Sequence, residues 1–124
     1  MRKHWFRSIG LGGLSAIGLV LGLQQAAPAA DDVKEIEIVR NATRKFVFAE
    51  PNVTINAGQS IKWHGKEAVP HQLDGNPPSP LFKATPEFKP PETATVTFAG
   101  VKSGDVIPYH CNIHPTMVGT ITVK

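Results

Sequence analysis

Tyr109-His110-Cys111-Asn112-Ile113-His114-Pro115-Thr116-Met117-Val118 is the stretch that decides how the rest of the chain is read. It sets the only cysteine three residues before a histidine, and that histidine three residues before a methionine. A thiolate, an imidazole and a thioether on one short loop make a soft donor set. Such a set favours copper over calcium, magnesium or manganese, which prefer oxygen ligands. One more strong ligand is needed, and His71 in Val69-Pro70-His71-Gln72-Leu73 is the candidate. Two His, one Cys and a weak axial Met describe a mononuclear copper site that passes single electrons. Taken one at a time, a lone Cys is more often a small buried hydrophobe and a Met more often core. The joint spacing outweighs that reading.

Around this loop the chain reads as all-β. From about residue 30 it is rich in β-branched residues, Pro and Gly, shows no helical period, and carries short alternating runs bounded by turn residues. The predicted strands are 34–39, 45–49, 52–55, 60–64, 69–73, 93–99, 106–111 and 118–124. Asn56-Ala57-Gly58 and Ser103-Gly104-Asp105 supply turn chemistry. About eight short strands at this spacing indicate an antiparallel sandwich or barrel. Alternation places Ile107, Tyr109 and Cys111 on one face of their strand and Val106, Pro108 and His110 on the other. The loop that joins 106–111 to 118–124 then delivers Cys111, His114 and Met117 to one end, where His71 arrives from another strand. Between Asp74 and Pro91 six prolines argue for loop or sheet edge, because proline lacks the ladder N–H. Leu81 and Phe82 are expected to fold back onto the core.

The 124 residues suffice for one domain. Arg2, Lys3, His4 and Arg7, an uncharged run from Ile9 to Leu23, then Ala27-Pro28-Ala29 and Asp31-Asp32 have the order of a secretory leader. The apolar run is short for a bilayer span. Residues 1–29 are therefore expected to be a cleaved signal peptide and residues 30–124 the domain, exported by the general secretory route to the periplasm without membrane insertion. Arg2, Lys3 and Arg7 account for the whole formal excess of +3. The basic balance is thus no argument for nucleic acid. Export also sharpens the reading of Cys111: one unpaired thiol in an oxidising compartment is a liability unless a metal holds it.

From about Val53 to Lys124 the sequence resembles the cupredoxins, specifically the plastocyanin, pseudoazurin and amicyanin group. The resemblance rests on Val53-Thr54-Ile55-Asn56-Ala57-Gly58, Trp63, Glu67-Ala68-Val69-Pro70-His71 and Tyr109-His110-Cys111 in that order. The two-residue gap between His114 and Met117 is most similar to amicyanin. The resemblance implies a Greek-key β-sandwich, one type 1 copper ion per chain held by His71, Cys111, His114 and Met117, and no enzymatic activity. It further implies a monomer whose redox protein donors and acceptors dock near a surface-exposed His114. Two departures stand out. Ile113 replaces a common Pro, so its N–H is expected to reach the Cys111 sulfur. Gly65 stands where relatives often have an Asn that ties the ligand loops, which implies a looser tether.

Other functions are weighed against the electron carrier. A periplasmic copper carrier or delivery protein is the alternative, although one Met and one Cys after the leader are few for a storage site. A structural zinc site would not recruit Met117. His64 and His110 are too few to build the second copper of an oxidase, and His110 faces away from Cys111.

Overall fold

The computed structural model describes residues 33–124; the expected leader at 1–29 lies outside the described residues. Eight strands are formed: β1 (Val33–Arg40), β2 (Phe46–Phe48), β3 (Asn52–Ile55), β4 (Ser60–Gly65), β5 (Leu73–Gly75), β6 (Ala94–Thr97), β7 (Val106–Cys111) and β8 (Val118–Val123). They make two four-stranded sheets, ordered β2-β1-β4-β6 and β3-β8-β7-β5. No helix occurs among the described residues. Strand burial alternates as the sequence demands. Ile36 and Ile38 of β1, Ile61 and Trp63 of β4, and Ile107 and Tyr109 of β7 all point inward. The β-sandwich expected from the sequence is present.

Its strand directions are not purely antiparallel. β1 pairs β4 in parallel, with Ile36 opposite Trp63, and β3 pairs β8 in parallel, with Val53 opposite Ile121. Parallel neighbours require a crossover rather than a hairpin. Here the chain leaves β1 through β2 and β3 before returning in β4, so it visits both sheets in between. The hairpin β7–β8 remains antiparallel, with Tyr109 opposite Gly119.

An aromatic cluster fills the space between the sheets. Phe82 stacks on Tyr109 at 5.3 Å and 16°, and Trp63 and Phe48 close on the same ring. Trp63 Nε1 donates to Tyr109 Oη at 3.1 Å, which satisfies a buried indole N–H. Burial pushes the Tyr109 phenol well above its usual pKa. Phe82 is buried and Leu81 packs against the core, as expected of the Pro-rich segment.

The predicted strand at 69–73 is displaced. Val69 and Pro70 lie in an irregular approach, and regular pairing begins only at Leu73. Pro70 interrupts the donor ladder, so His71 is left with a single two-way bridge to Phe88: His71 N donates to Phe88 O and Phe88 N to His71 O, both at 2.9 Å. Thr85 fastens the same segment to β5: its N donates to Leu73 O at 2.9 Å, and its hydroxyl accepts from Leu73 N at 3.0 Å. The Pro-rich stretch is therefore pinned beside His71.

Candidate metal centre

β7 ends on Cys111, and the chain then makes one tight loop before β8. Two backbone bonds close it: Met117 N donates to His114 O at 3.0 Å, and Cys111 N donates to Met117 O at 3.0 Å. These bonds join the backbones of Met117, which is fully buried, and Cys111, and His114 is left only partly covered. His71 comes from the irregular segment before β5 and is 1% exposed. The donor atoms of His71, Cys111 and His114 all lie within 4.8 Å of one another. Cys111 Sγ is 3.7 Å from His114 Nδ1, and the two imidazoles face each other at 5.0 Å between centroids.

The electrostatics favour a cation bound between these groups. His71 Nδ1 is buried and lacks any hydrogen-bond partner. An orphaned buried polar atom costs about 1–3 kcal/mol, so a native structure keeps one for a purpose. Burial, reinforced by the neighbouring His114, depresses the His71 pKa to about 4. The ring is thus neutral at ordinary pH and offers its lone pair without first losing a proton. Burial and the nearby Arg40 also lower the pKa of His114. Two neutral imidazoles, a cysteine sulfur and an adjacent thioether fit copper, since oxygen donors are absent from the cluster.

The loops carrying these donors are tied directly. Asn112 N donates to Gln72 O at 2.8 Å, and Asn112 Nδ2 to Gln72 Oε1 at 2.6 Å. Gln72 Nε2 continues the chain of bonds to Thr85 O at 3.0 Å. The residues following His71 and Cys111 thus hold one another, and the looser tether expected from Gly65 is not found. Gly65 has a different part: a Cβ there would sit 3.6 Å from His71 Nε2. The expected bond from the Ile113 N–H to sulfur is not formed either. Among the described residues the polar neighbour of Cys111 Sγ is His114 Nδ1.

Three contributors escaped the sequence reading. Phe46 touches both imidazoles, at 5.3 Å from His71 and 4.8 Å from His114. Phe88 flanks His71 at 5.9 Å. Gln72 forms half of the tether. Each looks like an ordinary strand or loop residue in sequence, and only the bridging of distant segments gives it a role. His64 and His110 stand apart: His64 meets Glu35 at 3.4 Å on the outer face of one sheet, and His110 pairs across the outer face of the other with Asp74 and Val118.

The chain as a whole is similar to known proteins. No family model matches the chain. Amicyanin-alpha of Methylorubrum extorquens is 28% identical over 111 residues, covering 88% of this chain and 84% of the relative. Amicyanin of Paracoccus denitrificans is 28% identical over 102 residues, covering 80% and 71%. Among solved structures, a purple cupredoxin from Nitrosopumilus maritimus superimposes with a TM-score of 0.60 at 23% identity, over 73% of this chain and 99% of that one. Amicyanin from Paracoccus versutus gives 0.58 at 24% identity, over 81% and 87%. At that level of identity the structural matches speak for the fold. Fold, curated relatives and clustered donors agree.

The chain has the cupredoxin fold. Its similarity to amicyanin extends over most of the described residues, and copper is the ion that the clustered donors suit.

Proposed function

We propose that this cupredoxin is an exported, mononuclear type 1 copper protein that carries single electrons between larger redox proteins in the periplasm, with His71, Cys111, His114 and Met117 as the ligands. Copper, when bound, supplies a one-electron Cu(II)/Cu(I) couple. The observation that carries this reading is the meeting of a partnerless buried imidazole nitrogen, a cysteine sulfur and a rim imidazole within 4.8 Å.

Each residue has a distinct task. Cys111 offers the thiolate and is fixed at the end of β7 by its backbone bond to Met117. His71 offers a neutral imidazole held at the Phe88 bridge and shielded from water. Met117, fully buried under the loop, offers a weak thioether suited to the axial position. His114 is the most accessible of the four, next to half-exposed Ile113 and to Pro115. A donor or acceptor docked there reaches the centre through one imidazole. The small, bonded ligand loop keeps the site from rearranging when charge changes, which suits electron transfer.

The test is direct. The purified domain loaded with Cu(II) should show intense visible absorption that a reductant bleaches and an oxidant restores, and Cys111→Ser should abolish it. A colourless, redox-silent protein would defeat the proposal. Fractionation of the producing cell tests export, and the copper-loaded domain as bait in an envelope extract tests for redox partners.

A further inference from the structure

Arg40 ends β1 outside the ligand set, yet three segments around the metal centre converge on it. Its Nε and one terminal nitrogen donate to the two oxygens of Glu67, each at 2.8 Å, in the segment that leads into His71. Its other terminal nitrogen donates to Arg44 O at 2.6 Å, in the β1–β2 turn, where Arg44 holds φ at 65°. The guanidinium carbon stands 4.1 Å above the centre of the Phe46 ring. Phe46 in turn contacts His114 and His71, and its carbonyl accepts the hydroxyl of Thr116 from the ligand loop at 2.8 Å.

We propose that Arg40 is a positioning residue for the metal centre, a clamp that presses Phe46 against His114 and so fixes the orientation of the most accessible ligand. The inference builds on the ligand assignment proposed above. The physical case is one of constraint. His114 lies on a loop with solvent on one side, so its ring is free to turn unless something stops it. Phe46 is the wall that stops it, and β2 is a three-residue edge strand with little pairing of its own. What holds that wall is a planar cation bonded on two edges and stacked on the aromatic face. A two-pronged carboxylate bond demands the planar fork of arginine, and that same plane can lie flat on the aromatic face while it is bonded. A lysine keeps the charge but cannot meet Glu67 at two points, bond Arg44 O and lie flat on Phe46 together.

That difference separates a clamp from a charge. The experiment uses Arg40→Lys, Arg40→Gln and Glu67→Gln, each as metal-free and as zinc-loaded protein. The readouts are the proton NMR contact between the Phe46 and His114 rings and the rate at which Zn(II) is lost to a chelator. In both Arg40 variants the ring contact should disappear and zinc loss should quicken by about tenfold, in line with other supports of metal ligands. Glu67→Gln should lie between these and the parent. If Arg40→Lys behaves as the parent while Arg40→Gln does not, charge alone is at work and the clamp is overturned. It is equally overturned if all three keep the contact. Should the Arg40 variants fail to fold, Glu67→Gln decides: a parental contact and rate there refutes the proposal. The contact is measured without copper, so a colourless copper-loaded protein would defeat the electron-carrier reading and leave the clamp standing.

Discussion

Replacing Gly119 by Ala puts one methyl group against the ring of its cross-strand neighbour Tyr109. A Cβ at that position would lie 2.7 Å from Tyr109 Cε1, 3.0 Å from Tyr109 Cζ and 2.9 Å from Pro51 O. Ordinary contact begins at 3.4 Å, so the ring must retreat by about 0.7 Å, the difference between 3.4 and 2.7 Å. It has nowhere to go. Phe82 stacks on Tyr109 at 5.3 Å, Phe48 stands at 4.8 Å, and Trp63 is bonded to its hydroxyl. The Pro51 carbonyl is held by Thr120 N at 2.7 Å and cannot withdraw cheaply. Overpacking of this kind costs about 1–3 kcal/mol. The loss of glycine's freedom in the unfolded chain works the other way, by about 0.4–1 kcal/mol. Crowding wins, and the net loss is roughly 1–2 kcal/mol, a fall in Tm of roughly 4–16 °C for a domain of this size. Gly100→Ala is the control, since nothing lies within 4 Å of its added Cβ. It should be neutral or slightly stabilising. Urea denaturation of the metal-free domain, followed by Trp63 fluorescence, measures both. A Gly119→Ala protein as stable as the parent would refute the account of how Tyr109, and through it the Cys111 strand, is held.

Three further outcomes are expected. Because His71 has a folded pKa of about 4, below the ordinary 6.5, the unfolded chain binds more protons between those values, and the metal-free domain should lose stability as pH falls from about 6.5 towards 4. The gap corresponds to about 3 kcal/mol; urea midpoints that stay flat over that window, or a His71→Leu variant with an unchanged slope, would contradict it. Met117→Leu should cost under about 1.5 kcal/mol because volume is kept, while voltammetry of the copper-loaded protein should show a higher potential once the thioether is gone; an equal or lower potential would argue against Met117 as ligand. Asn112→Ala removes the 2.6 Å bond to Gln72 and should cost about 1 kcal/mol in stability and 10–100-fold in metal affinity, as removing supports of metal ligands does; competition with a chelator that finds parental affinity would show that the tether does not hold the ligands.

The sequence by itself determined the strand alternation, the inward row Ile107-Tyr109-Cys111, and the donor types and spacing that single out copper. These are local properties: a two-residue period and the chemistry of four side chains do not depend on what lies across the core. Leu81 and Phe82 were legible for the same reason, as apolar residues in an otherwise polar, proline-rich stretch. What only the tertiary structure decided is which distant segments meet. The parallel pairing of β1 with β4 and of β3 with β8 follows from how the chain crosses between sheets. The single Phe88 bridge at His71, the Asn112–Gln72 tether and the Phe46–His114 contact join residues 17, 40 and 68 positions apart. Hydrogen bonds and ring contacts of that reach leave no periodic trace along the chain, because each partner satisfies its own local rule equally well without the other.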